Sequence, residues 1–249
     1  MSQVKALLKH VLIKTGLKGL FSMTMSANHG SLVITDQSII EAFKKDPHNT
    51  FLVSFPRTGS HWLRMLMELY FCRPSLVRVF YYPGKNDYLT LHTHDLELDA
   101  ENNRVIYLYR DPIDTVYSQI RYHKEDTNNP EKIAYWSDLY GRHLEKWLHQ
   151  ERFTRQKTIV RYERFKASAH DEFRKICDHF EEPFEKERFE SLMSMVSKGH
   201  VNEKTVHDPQ VINLSKKYSE GRKRFHDEQG EFVWQVLLNG RGHLKNDFI

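Results

Sequence analysis

The chain has 249 residues, 39% hydrophobic and 28% charged, which is enough to bury the core of one α/β domain. Lys and Arg total 37 against 33 Asp and Glu; the formal charge of +4 suits a polyanionic small molecule and is too small an excess to point to nucleic acid. Two cysteines, Cys72 and Cys177, stand far apart and in no CxxC pair, so neither a zinc site nor a disulfide framework is indicated, and a reducing, cytoplasmic setting is expected.

Residues 1–25 carry Val4, Leu7, Leu8, Val11 and Leu12 at helical spacing, with Lys5, Lys9, Lys14 and Lys18 between them. The lysines interrupt the apolar run well short of the roughly 18 residues that span a bilayer, and they break a signal-peptide core as well. An amphipathic helical extension remains. It packs on the domain or lies on a membrane surface as a peripheral contact.

Beyond it, short β-rich runs at 51–55, 88–92, 104–109 and 158–162 alternate with helical spacing, as at 137–150 and 169–180. No repeat or linker interrupts them, so residues 1–249 read as a single domain. Phe-Leu-Val-Ser-Phe and Arg-Val-Ile-Tyr-Leu-Tyr lack polar alternation, as strands covered on both faces do. Sheets of this kind bind ligands beyond the carboxyl ends of their strands.

After the first run the chain reads Pro56-Arg57-Thr58-Gly59-Ser60-His61-Trp62 and enters an apolar helix. Free N–H groups and the dipole at a helix start attract phosphate or sulfate. Gly59 permits close backbone approach, Thr58 and Ser60 offer hydroxyls, and Arg57 adds a fixed cation. An ordinary βα turn with a surface arginine fits these residues equally. The second glycine and the lysine of GxxxxGK[ST] are missing, which counts against an ATPase or a standard kinase.

The third run ends in Arg110-Asp111-Pro112-Ile113-Asp114-Thr115-Val116-Tyr117-Ser118. Asp111 as N-cap and Pro112 as first helical residue predict a helix there, with Ser118 about two turns along on the face of Asp111. Arg110 and Ser118 can hold a second phosphate; alternatively Arg110 pairs with Asp111 or Asp114.

Taken together, these segments resemble the sulfotransferases that use 3′-phosphoadenosine 5′-phosphosulfate (PAPS). Phe55 to Trp62 resembles the family's YPKSGTTW loop for the 5′-phosphosulfate, and Arg110 to Ser118 its RxPxDxxxS segment for the 3′-phosphate. Thr158-Ile159-Val160-Arg161-Tyr162-Glu163 is similar to a later strand whose tyrosine lies near the adenine. Gly221-Arg222-Lys223-Arg224 is similar to a C-terminal basic loop over the 3′-phosphate.

The resemblance implies an α/β fold, a three-layer sandwich about a central mainly parallel sheet like that of P-loop NTPases. It implies PAPS as co-substrate, no metal, and an acceptor that is a small molecule, lipid or carbohydrate, sulfated on a hydroxyl or amine. Donor contacts would fall to Arg57, Thr58, Gly59, Ser60, His61, Trp62, Arg110, Ser118, Tyr162, Gly221, Arg222 and Lys223, with Trp62 stacked on adenine unless it is a core tryptophan. In His92-Thr93-His94, which aligns with the family's KTH, His94 is the candidate base and His92 its rival; on a strand both face one way. Arginine stands at 57 where the family has lysine, so charge is held there but no proton is given. His61 replaces a common threonine. A two-histidine metal site was weighed against the base, but neither HxHxDH nor HExxH occurs. A nucleotide-dependent phosphotransferase and a non-catalytic PAPS-binding module are the rival functions.

Overall fold

The protein is described by a computed structural model over residues 31–150, 154–206 and 213–249. The amphipathic helix expected at 1–25 lies outside the described residues. Among those residues no helix is long and apolar enough to cross a membrane.

The described chain opens with β1 (Leu32–Val33) and helix α1 (Gln37–Lys45), whose cap Asp36 accepts from the Ser38 amide. Strand β2 (Thr50–Ser54) leads through the Phe55 to Gly59 loop into helix α2 (Ser60–Phe71). Strand β3 (Arg78–Val79) pairs antiparallel with β1, away from the main sheet. Then come β4 (Thr90–Thr93), β5 (Ala100–Tyr109), helix α3 (Pro112–Tyr122) and helix α4 (Pro130–Leu144), which runs on into a π-helical turn over Glu145–His149. Strand β6 (Thr154–Arg161) precedes α5 (Arg164–Ala167), α6 (Ala169–His179), α7 (Lys186–Met195) and α8 (Lys198–Lys204). The long α9 (Lys216–Leu237) and a 3-10 segment (Gly242–Phe248) complete the chain.

The main sheet runs β4-β2-β5-β6 with every pair parallel. Side-chain alternation in these strands feeds two cores. Leu52, Ile106, Leu108 and Val160 point to one face, against Leu63 and Leu66 of α2 and Phe173 and Ile176 of α6. Phe51, Val53, Val105 and Tyr107 point to the other, against Tyr140 and Leu144 of α4, Trp147, and Leu237 of α9. Burial on both faces explains why these strands read as continuous apolar runs, and it produces the expected three layers. Each fully buried Leu or Phe contributes about 1.5–3 kcal/mol relative to exposure.

Two local readings change. The helix expected at 137–150 starts earlier, at Pro130, because the Asn129 side chain accepts from the Glu131 and Lys132 amides. The expected basic loop Gly221 to Arg224 is instead the second turn of α9, capped by the Ser215 hydroxyl at the Tyr218 amide. Gly221 serves packing there, since a Cβ on it would lie 2.5 Å from the Tyr117 hydroxyl of α3.

The start of α3 matches its sequence signal: Asp111 Oδ1 accepts from the Asp114 amide at 3.0 Å and Pro112 follows as the first helical residue. Asp111→Ala should lower stability by about 1 kcal/mol, read as a lower urea midpoint at unchanged slope. An unchanged midpoint would mean that the cap carries no energy.

Candidate active site at the carboxyl edge of the sheet

The four parallel strands end at one edge, and register holds their ends level. Val53 lies beside Thr93 and Tyr107, and Leu108 lies beside Ser54 and Val160. The residues that follow are the Phe55 to Gly59 loop, His94, Arg110 and Tyr162, so four segments distant in sequence meet along one edge.

The loop after β2 bends sharply. Arg57 adopts φ 72° and Gly59 φ 98°, both left-handed. Such a conformation costs a non-glycine residue about 1–3 kcal/mol and persists where the surroundings over-determine it. The Thr58 hydroxyl donates to the Phe55 carbonyl at 2.8 Å and is wholly buried. It therefore braces the turn through its own hydroxyl proton. Gly59 caps α2 with no side-chain hydrogen bond, so side chains leave the first-turn amides open. Gly59 also lies under the Tyr162 ring, where a Cβ would come within 2.7 Å.

Side chains join this loop to the start of α3. Arg57 Nε donates to Ser118 Oγ at 3.1 Å, and Arg110 Nη1 donates to the Arg57 carbonyl at 3.3 Å. The Arg57 guanidinium also stands 5.3 Å over the Tyr122 ring. Arg110 pairs with Asp114 at 2.7 Å and lies 4.9 Å over the Tyr162 ring. Its buried Nε has no hydrogen-bond partner, although Glu163 is 3.9 Å away. The pairing with Asp114 that the sequence left open is thus present, and Arg110 retains an unsatisfied donor.

Arg222 arrives from α9 and reaches the same Asp114 carboxylate at 3.4 Å. Lys223 follows about 100° round the helix and is exposed, as is Arg224. Lys198, at the start of α8, was missed by the sequence reading. Its ammonium is lowered in pKa by burial and by the charges of Arg222, Arg110 and Lys166. A lone lysine in a polar helix carries no local signal, so only the fold brings it here. Trp62 is braced from below: its indole N–H donates to the Val196 carbonyl at 2.7 Å, and its ring meets Phe165 and Tyr162 edge-on at 5.0 and 6.1 Å.

On the other side of the loop lie the histidines. His94 Nδ1 is 2.6 Å from the Ser54 carbonyl oxygen, which can only accept, so Nδ1 carries the proton and Nε2 the lone pair. His92 Nε2 meets Ser54 Oγ at 3.0 Å, and the two rings stand edge to face at 4.5 Å. The His94 side chain keeps an exposed edge. Its pKa is lowered by the protein packed around it and by Arg64 and Arg57, against the raising effect of the Ser54 carbonyl. His92 is pushed further down, by burial first and then by His94 and Arg64. His61 accepts from Arg78 Nη1 at 2.7 Å, and burial with the charges of Arg64 and Arg78 brings it to about 3, so it is neutral. Among the described residues no group of three His, Cys, Asp or Glu is placed to hold a metal ion.

The sulfotransferase domain model matches residues 83–235, more than half of the chain, and the protein belongs to that family. The match takes in His94, Arg110, Ser118, Tyr162 and Gly221 to Arg224, while the Phe55 to Trp62 loop precedes it. Retinol dehydratase, solved with androsterone and the inactive cofactor PAP, is similar over 89% of this chain and 93% of its own, at 12% identity and a TM-score of 0.53, a likeness of fold. A mouse sulfotransferase solved with PAP is similar over 85% of this chain and 98% of its own, at 15% identity and a TM-score of 0.47. No curated protein matches the chain in sequence.

Gly59→Ala should lower stability by about 1–3 kcal/mol, because alanine would be held at φ 98° against the Tyr162 ring. Urea unfolding checks this, and a change within error of zero would mean that the loop relaxes freely.

Proposed function

We propose that this chain transfers a sulfuryl group from PAPS to a hydroxyl or amine of a small-molecule, lipid or carbohydrate acceptor, with His94 as the base. The observation that carries the reading is the junction of Arg57, Ser118 and Arg110, which sets two anion-binding segments side by side within reach of one histidine edge. The residues fit a donor with two anionic ends. Arg110 has an orphaned buried N–H, and the start of α2 has amides that no side chain caps.

When bound, PAPS supplies a sulfur joined to a phosphate leaving group. The α2 amides and Arg57 hold the 5′ end, and Arg110, Ser118 and Arg222 hold the 3′-phosphate, with Lys198 adding charge. Tyr162 and Trp62 flank the adenine. His94 Nε2 takes the proton of the acceptor group as its oxygen or nitrogen bonds to sulfur and the bond from sulfur to the 5′-phosphate oxygen breaks. Arg57 keeps its proton and stabilises charge that grows on the departing phosphate. The Ser54 carbonyl fixes the His94 tautomer, the arrangement a base needs.

Calorimetry with adenosine 3′,5′-bisphosphate (PAP), ATP and AMP tests the donor assignment. PAP should bind best, and Arg110→Ala should weaken it about tenfold or more, the usual loss for hydrogen bonds to charged groups. Equal or tighter binding of ATP overturns the assignment.

His94→Ala should abolish sulfotransfer while PAP binding persists. Loss in His92→Ala with His94→Ala still active reverses the two roles. In the free protein, burial and two arginines oppose charging of His94, so its NMR titration midpoint should fall below 6.5, leaving the base neutral at neutral pH and inactivated only on the acid side. A midpoint at or above 6.5 contradicts this environment.

A further inference from the structure

Arg64, whose charge acts on His94, belongs to a second group of cations. Helix α2 carries His61, Arg64 and Glu68 three and seven residues apart, on one side. Arg64 is only 3% exposed; its Nη2 donates to the Arg78 carbonyl, and its buried Nε has no hydrogen-bond partner. Arg78 donates from Nη1 to His61 and from Nε to the Ser31 hydroxyl at 2.8 Å. Neither arginine has a carboxylate within ion-pair distance among the described residues.

The nearby acid is committed elsewhere. Glu68 Oε1 accepts from the Ser75 amide, and Oε2 accepts from the Phe80 and Tyr81 amides, all at 3.0 Å. Glu68 therefore shapes the segment that presents Arg78 and gives neither arginine a hydrogen-bonded counter-ion. His61 has no charge to offer, since its Nε2 accepts from Arg78. Arg64, buried with a spare N–H and joined to Arg78 through the Arg78 carbonyl, has only the Glu68 charge opposite it and no hydrogen bond to that carboxylate, so the two guanidinium groups can take a further anion. The donor's anionic ends already have Arg57, Arg110 and Arg222.

We propose that the acceptor recognised beside His94 carries an oxyanion of its own, a carboxylate, phosphate or sulfate group, held by Arg78 and Arg64. The inference rests on the sulfotransfer reading above. Such a group would anchor the acceptor at one end and leave its hydroxyl or amine to reach His94 Nε2. Neutral acceptors would lack that anchor, and cationic ones would be repelled.

The probe is sodium sulfate, titrated into PAP-saturated protein against sodium chloride at equal ionic strength, with the imidazole NMR signals of His61 and His94 as readout. A saturable shift specific to sulfate is expected in the unmodified protein. Arg78→Gln should weaken it about tenfold or more while PAP affinity is retained. Acetate and phosphate in the same titration report which oxyanion fits best. Absence of saturable binding in the unmodified protein overturns the proposal. So does binding that survives Arg78→Gln but is lost in Arg57→Gln, because the sulfate would then occupy the sulfuryl position of the donor loop. Failure of PAP itself to bind would instead sink the donor reading, so the two failures are separable. Should Arg78→Gln fail to fold, Arg57→Gln still decides: sulfate binding retained there supports the proposal, and binding lost there overturns it.

Discussion

Everything in this site depends on four parallel strands ending level at one edge of a sheet buried on both faces. Parallel pairing sends each strand out of the sheet in the same direction, and the register of β2 with β4 and β5, and of β5 with β6, staggers their ends only from the level of Tyr107 to that of Tyr109. Ser54, Thr93, Tyr109 and Arg161 are thus followed by the donor loop, His94, Arg110 and Tyr162 within one narrow band. Slippage of a strand by one residue would send the side chains of each core into the other, so the same apolar packing that stabilises the fold also fixes the alignment of the strand ends.

The band is divided electrostatically. On one side Arg110, Arg222 and Lys198 gather at the Asp114 carboxylate, which holds Arg110 and Arg222 together from α3, and Arg57 joins them through Ser118. On the other, Arg64 and Arg78 lie near three neutral histidines. Between the two is Ser54, whose carbonyl orients His94 and whose hydroxyl meets His92. One strand end therefore places His94 and starts the loop that contains Arg57, which keeps the two in fixed relation.

Much of this was legible in the sequence where the signal is local. Asp111-Pro112 marks a helix start, and the apolar runs mark strands covered on both faces. What the residues after β2 did not show is that the Thr58 hydroxyl donates to the Phe55 carbonyl, since a threonine in a tight turn satisfies the nearest carbonyl. The basic run at Gly221 to Arg224 was expected as a loop because it is similar to the family's C-terminal basic loop. It is helical because Gly221 lets α9 settle onto Tyr117, a contact across more than a hundred residues.

From the sequence alone came the strand cores, the helix start at Asp111-Pro112, and the order of the Phe55 to Trp62 and Arg110 to Ser118 segments around one His-x-His pair. Those features arise from backbone propensity and apolar periodicity within a few residues. Tertiary packing settled that Arg57 meets Ser118, that Arg222 and Lys198 join Arg110, that Ser54 sets the His94 tautomer, and that Arg64 and Arg78 form no hydrogen-bonded ion pair among the described residues. Each of these is a contact between elements distant along the chain, and such contacts follow from sheet order and helix packing, which no local pattern encodes.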